Sequence, residues 1–175
     1  MRKISAVLLI VLGLFYINNA YAEVTKFESK EGGFVVMAPA VLTASSQVEP
    51  TAVGDLKMNM FTGEKPDGTA YVVMYIDYPP EMIKLTDPQV MLDGAKTGAL
   101  ENTGGKLISE KVVSLDGHPG RIVAVAVNKG TEEGVIKTHL YLVNNRLYQI
   151  MAAGLKKNIE TKEVEDYLSS FKLVK

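Results

Sequence analysis

Turn-forming residues recur at short intervals along this chain and divide it into segments of strand length. The turn sequences are EGG (31–33), KPDG (65–68), NTGG (102–105), DGHPG (116–120), KGTEEG (129–134) and NN (144–145). Between them lie runs rich in β-branched and aromatic residues, which predict strands near 24–29, 34–37, 56–63, 69–78, 106–115, 120–128, 135–144 and 146–153. Such short turns favour antiparallel pairing, because parallel strands need a long crossover connection.

Two of these segments are apolar on both faces. In RIVAVAV (121–127) both alternating sets of side chains are apolar from residue 122 onward, and YVVMYI (71–76) has a similar pattern. An antiparallel strand with one solvated face would instead carry polar residues at alternate positions. We therefore predict that other elements cover both faces of the sheet, and that Ile122 and Val123 are both buried.

Two segments have the features of helices that could provide this cover. The first, TDPQVMLDGAKTGALEN (86–102), has cap residues at its start, and Gly94 and Gly98 within it indicate a close approach of the helix to the sheet. It ends before NTGG, where Gly104 or Gly105 is expected to adopt the left-handed conformation. The second, TKEVEDYLSSF (161–171), has apolar residues at positions i, i+3, i+4 and i+7.

The order of strands, helix, strands, helix predicts a single α+β domain, built as an α-β-α sandwich around a mainly antiparallel sheet. A β-sandwich or a lipocalin-type barrel is the alternative. It accounts less directly for strands that are apolar on both faces.

Five sequence motifs occur along the chain in an order that resembles that of a known family. These motifs are FESKEGGFVVMAP (27–39), DYPP (77–80), LDGHPGR (115–121), YLVNNRLYQI (141–150) and VEDYLSSFKLV (164–174). Together they resemble the PsbP-like/DcrB-like group of small exported bacterial domains. The resemblance implies the same α-β-α sandwich and a role outside the cytoplasm. The group includes a photosynthetic extrinsic subunit and many exported proteins of unassigned role, and it implies no shared catalytic residues.

The first 22 residues have the composition of a secretory signal peptide. Arg2 and Lys3 precede the apolar run ISAVLLIVLGLFYI (4–17), and an A-x-A cleavage site ends at Ala22. The apolar run is shorter than the about 20 residues that span a membrane. We expect cleavage after Ala22, a domain over residues 23–175 with no transmembrane segment, and a periplasmic or secreted location.

Composition excludes several classes of function. The chain has no cysteine, which excludes disulfides, thiol catalysis and thiolate-bound metal clusters. Without Arg2 and Lys3, 17 basic residues stand against 20 acidic ones, a net charge of −3, and the basic residues form no cluster that would bind nucleic acid. No nucleotide-binding loop is present. We therefore predict no nucleic-acid partner and no cofactor.

The two histidines, His118 and His139, are the only candidates for a histidine base or ligand. His118 lies in DGHPGR, where Asp116-Gly117 is a strong hairpin signal and Pro119 restricts the chain to extended geometry. We interpret this stretch as a turn with Arg121 in solvent, and not as a catalytic loop. No G-x-S-x-G or H-E-x-x-H motif is present, so a hydrolase or a zinc site is a remote alternative.

The segment KMNMF (57–61) places Met58 and Met60 on one face of a strand. Methionine is a common core residue, and we interpret the pair as packing residues. A copper site is the alternative, because thioether sulfur suits Cu(I), but no third soft ligand is evident nearby in the sequence.

A further candidate is the strand face that carries Tyr71, Tyr75 and Asp77, which could line a ligand pocket or lie as a tyrosine-rich face under a helix.

Taken together, the sequence favours an exported, non-enzymatic binding or accessory domain of the bacterial cell envelope, with a protein or envelope partner. A periplasmic small-ligand or copper-binding protein is the alternative, and a cryptic hydrolase is the third.

Overall fold

Strands joined by hairpin turns make up most of the fold. The structure is a computed structural model that describes residues 24–51, 54–129 and 132–174. The strands of these ranges are β1 (Thr25–Ser29), β2 (Phe34–Ala38), β3 (Thr43–Thr51), β4 (Gly54–Glu64), β5 (Ala70–Asp77), β6 (Lys106–Leu115), β7 (His118–Lys129), β8 (Glu132–Val143), β9 (Arg146–Leu155) and β10 (Lys172–Leu173). The helices are α1 (Pro80–Leu85), α2 (Pro88–Thr103), α3 (Lys156–Ile159) and α4 (Lys162–Ser169). The predicted signal peptide, residues 1–22, lies outside the described residues. None of the described helices has both the length and the apolar character needed to cross a membrane.

Seven strands form one antiparallel sheet in the order β3-β4-β5-β9-β8-β7-β6. Two runs of sequential hairpins, β3-β4-β5 and β6-β7-β8-β9, join where β5 pairs with β9. A separate three-stranded sheet has the order β1-β2-β10 and is also antiparallel. The prediction of a mainly antiparallel sheet is confirmed.

Positive backbone φ angles mark the hairpin turns that the sequence predicted. Asp116 and Gly117 have φ of 50° and 84°, and Leu115 pairs with His118, so a two-residue turn joins β6 to β7. Asn144, with φ of 54°, occupies the equivalent turn between β8 and β9. The interpretation of DGHPGR as a turn is confirmed.

One face of the large sheet is covered by α4 and the three-stranded sheet. Aromatic residues dominate this layer, with Phe34 of β2, Tyr71 of β5, Tyr167 of α4 and Phe171 all at most 3% exposed. Thr161 caps α4 by accepting a hydrogen bond from the backbone N–H of Val164. The amphipathic stripe predicted for this segment therefore packs as expected.

The opposite face is covered by α2, which packs on β7 and β8 through a cluster that includes Leu92, Val123 and Leu140. The Asp87 side chain caps α2 by accepting from the Gln89 N–H at 2.7 Å, and Gly104, with φ of 60°, ends the helix. With one layer on each face, the α-β-α sandwich is confirmed.

Several elements differ from the prediction. Strand β3 was not predicted, because its sequence TASSQVEPT has little strand character. It forms an edge strand by pairing along β4. The short helix α1, begun by Pro80, was also missed. Val123 is 2% exposed as expected, but Ile122 on the other face is only half-buried, because the cover on that face is less complete at β7.

The expected close approach at Gly94 and Gly98 is wrong. A Cβ atom added at either glycine would meet nothing within 4 Å. The close approach occurs instead at Gly105 and Gly120, where an added Cβ would lie 2.4 Å from a Val125 methyl and 2.5 Å from the Leu140 carbonyl oxygen, respectively. Neither glycine of α2 is therefore required for close contact with the sheet.

Candidate functional site

A cavity of about 350 Å³ lies between α2 and the large sheet. Its roof is formed by small residues on α2, Ala95, Gly98 and Ala99, and these cannot reach down to fill the space. The remaining wall is mainly apolar and comes from five neighbouring strands. This volume is within the range of ligand pockets in proteins.

The floor of the cavity is rich in methionine. Met58 of β4, Met74 of β5 and Met151 of β9 all line it and are half-buried. They remain partly accessible because α2 packs over β7 and β8 and not over β4, β5 and β9. The small side chains of α2 do not extend far enough to cover these three strands. Four uncharged polar residues also border the cavity and could orient a bound molecule: Asn102, Thr103, Thr138 and Gln149.

An ion-pair network fastens α2 to the sheet beside the cavity. The Arg121 guanidinium on β7 lies 2.8 Å from the Asp93 carboxylate on α2 and also contacts Glu110 on β6. Lys96 of α2 approaches the same Glu110 carboxylate at 2.9 Å. Hydrogen bonds from Lys96 and then Arg121 hold the pKa of the Glu110 carboxyl below its usual value.

The expectation that Arg121 lies in solvent is wrong. Its residue is 8% exposed, and its Nη2 also donates to the Gln89 side-chain oxygen at 3.1 Å. The alternation of β7 places Arg121 on the same face as Val123, under α2, so its charge needs the carboxylates of Asp93 and Glu110 as partners.

The predicted site residues lie on the opposite face of the sheet. Tyr71 and Tyr75 are each 1% exposed. The Tyr71 ring packs edge-on against Tyr167 of α4, and its hydroxyl donates to Glu163 at 2.9 Å. Burial, and then the Glu163 carboxylate, raise the pKa of Tyr71. This is the arrangement of a tyrosine-rich strand face under a helix.

Asp77 forms a bidentate pair with Arg146. Arg146 Nε lies 2.6 Å from Asp77 Oδ1, and Nη2 lies 2.7 Å from Oδ2. The same guanidinium lies over the Tyr75 ring, 4.2 Å from its centroid. The structure thus places the three residues in packing and ion-pair contacts, and a ligand-binding role for them stays a prediction.

The two histidines lie apart in the sheet. His118 borders the β6–β7 turn, whereas His139 is mid-strand in β8, pairs with Ile122 and is 8% exposed. Burial lowers the pKa of His139, and its Nδ1 is 3.4 Å from the Tyr141 hydroxyl. Over residues 24–51, 54–129 and 132–174, no group of three or more His, Cys, Asp or Glu side chains is placed to hold a metal ion.

The methionines of β4 are not fully enclosed, and their interpretation as packing residues stays a prediction. Met58 and Met60 are half-buried on the α2 side of the sheet, and Met60 pairs directly with Met74 of β5. Met74 and Met151 were not predicted to contribute to a site. The alternation within YVVMYI, which puts Met74 opposite in direction to Tyr71 and Tyr75, was the signal that could have placed Met74 on this face.

Comparisons identify the fold. No protein-family profile matches the chain, and no curated protein matches its sequence. The chain is similar to the solution structure of cyanobacterial PsbP (CyanoP) from Synechocystis sp. PCC 6803, with a TM-score of 0.57, 11% identity, and coverage of 89% of this chain and 95% of that one. It also aligns with PA94, a protein of unknown function from Pseudomonas aeruginosa (TM-score 0.43, 11% identity, 65% and 85% covered), and with a Bacteroides thetaiotaomicron protein (0.49, 14%, 87% and 49%). The likeness to CyanoP shows a PsbP-like fold and confirms the fold that the sequence resemblance implied.

Proposed function

We propose, with the PsbP-like fold as the premise, that this protein is an exported, non-enzymatic binding domain that holds an apolar group of its ligand or partner beneath α2. The observation that carries the proposal is the mainly apolar cavity of about 350 Å³ between α2 and the large sheet. Pockets of this kind, mainly apolar with a few polar groups at their border, are typical of small-molecule and cofactor sites.

The lining favours an apolar group of variable shape. Methionine side chains are unbranched and polarisable, so Met58, Met74 and Met151 can repack around different ligands. The ion pair of Arg121 with Asp93 anchors α2, while the small residues Ala95, Gly98 and Ala99 farther along the helix leave the space open. The cavity therefore combines a fixed helix with an adaptable floor.

The non-enzymatic part of the proposal rests on the side chains available for chemistry. In the part of the chain that the structure describes, no hydrogen bond links His118 or His139 to a serine or a carboxylate. His139 is buried and held toward its neutral form. The cavity itself contains Lys96 as its one charged lining residue, and Lys96 is paired with Asp93 and Glu110.

Filling the cavity from α2 tests the binding role. We expect the parent protein to bind a neutral naphthyl fluorophore, and Gly98→Leu to weaken that binding by at least about tenfold, equivalent to about 1.4 kcal/mol. Gly98 lines the cavity and has open space around an added Cβ, so its leucine enters the cavity. Fluorescence titration measures the affinity.

Gly94→Leu is the matched control. Gly94 lies one turn earlier on α2, also has nothing within 4 Å of an added Cβ, and is exposed outside the cavity. Both substitutions replace a helical glycine with a strong helix former, so both should raise helix stability by up to about 1 kcal/mol. If the parent does not bind the fluorophore, or if both variants bind it equally well, the cavity is not the binding site.

Export is proposed from the leader-like composition of residues 1–22. A basic start, an apolar run and Ala20-Tyr21-Ala22 favour cleavage by signal peptidase. We expect the protein isolated from the cell envelope to begin at Glu23, as determined by intact mass and N-terminal sequencing. A product that retains residues 1–22 would contradict this part of the proposal.

A further inference from the structure

Three methionines occupy adjacent positions on β4 and β5 at the border of the cavity. Met60 and Met74 are directly paired across the two strands, and Met58 precedes Met60 by two residues on the same face. Directly paired residues have Cβ atoms about 4.5–5.5 Å apart, and residues two apart on a strand are separated by about 7 Å. The three positions therefore form a compact triangle on one surface.

The three side chains are able to converge. Each is half-buried, and Met58 and Met74 both line the open cavity under α2, so neither is locked in a closed core. A methionine has three rotatable side-chain bonds, which let its sulfur move toward a shared centre. The packing around the triangle leaves access for a small ion from the cavity side.

The uncharged residues around the three methionines favour a monovalent cation over a divalent one. The other residues paired directly with the three methionines are Ser45, Gln47, Ile76 and Gln149, and none of them carries a charge. A divalent ion moved from water to neutral ligands would lose much more hydration free energy than a monovalent ion. Thioethers are soft ligands that select Cu(I) over harder cations.

We propose that Met58, Met60 and Met74 form a binding site for a soft monovalent cation, Cu(I), with three thioether ligands. The sequence alone did not favour copper, because Met58 and Met60 supplied only two ligands. The pairing of Met60 with Met74 supplies the third. This inference does not rest on the proposed function, because the site needs the sulfur atoms and not the volume of the cavity.

Anaerobic titration of the purified protein with Cu(I), against a chromophoric Cu(I) chelator, tests the site. We expect one equivalent of Cu(I) to be held. Met58→Leu, Met60→Leu and Met74→Leu should each weaken binding by at least about tenfold, since even changes outside the first ligand sphere can cost that much. Leucine conserves the volume and the apolar character of methionine, so these variants should fold, with circular-dichroism spectra and unfolding midpoints close to those of the parent.

Met37→Leu is the control, because Met37 is an exposed methionine on β2 of the separate three-stranded sheet. It should leave Cu(I) affinity unchanged. In a parallel titration with Ag(I), the NMR signals of the Met58, Met60 and Met74 methyl groups should shift together, whereas that of Met37 should not. Failure to take Cu(I) from the chelator, full retention of binding in Met60→Leu or Met74→Leu, or equal weakening by Met37→Leu would overturn the proposal.

Discussion

Replacement of Phe34 by alanine is expected to lower the free energy of unfolding by about 3–5 kcal/mol, the range for deleting a buried aromatic ring. Phe34 is fully buried where β2 meets the large sheet. Its ring centroid lies 5.4 Å from that of Phe61 on β4, 5.5 Å from that of Phe171 and 6.3 Å from that of Tyr148 on β9. The substitution therefore removes contacts that join three parts of the fold.

Urea unfolding followed by circular dichroism measures this loss. Met37→Ala provides the control on the same strand, because Met37 is 40% exposed and lies outside the buried cluster. Its effect should stay within about 0.5 kcal/mol, as for most surface substitutions. Similar losses for the two variants would show that the aromatic cluster does not join the small sheet to the large one.

Valine at Gly120 is expected to cost about 1–3 kcal/mol or more, because the added Cβ has no room. It would lie 2.5 Å from the Leu140 carbonyl oxygen and 2.5 Å from the Tyr141 ring on the neighbouring strand. The Tyr141 ring could rotate, but the carbonyl belongs to a β8 backbone that is paired along β7. The strands would have to separate locally to accommodate the side chain.

Two variants of the same turn separate the steric effect at Gly120 from the effect of a positive φ and from the effect of losing the histidine side chain. Gly117→Val should cost about 1–2 kcal/mol from its positive φ alone, because nothing lies within 4 Å of its added Cβ. His118→Ala should have the melting temperature of the parent, since His118 lies at the end of the hairpin and is only half-buried, so its side chain is not enclosed in the core. Thermal melts that show a stable Gly120→Val protein and an unstable His118→Ala protein would reverse the assignment of roles in DGHPGR.

Local features of the fold were predictable because their causes lie within a few residues. The Asp116-Gly117 turn follows from a dipeptide that tolerates positive φ, and the end of α2 follows from Gly104. The requirement for cover on both faces of the sheet follows from the apolar alternation of β5 and β7. These signals need no knowledge of which strands become neighbours.

Features that depend on strand register were not predictable in the same way. Periodicity places Met74 on the opposite face from Tyr71 and Tyr75. It does not indicate that an aromatic layer closes the tyrosine face, or that α2 packs over β7 and β8 and leaves β4, β5 and β9 partly uncovered on the other face. The role of Arg121 was misjudged because its partners, Asp93 and Glu110, come from α2 and β6. The pairing of Met60 with Met74 likewise becomes evident only when β4 and β5 are aligned.

The meeting of β5 and β9 has a consequence for the folding of the sheet. Asp77 and Arg146, paired at one end of this junction, are 69 residues apart in sequence, whereas the β4–β5 and β8–β9 hairpins on either side close over a few residues. Loop-closure entropy grows with the length of chain enclosed, and long-range contacts slow folding. We therefore expect the β5–β9 pairing to form later than the hairpins on either side of it. The cavity is lined by Met74 of β5 and by Met151 of β9, so a bound molecule would contact both strands of the junction and stabilise their pairing.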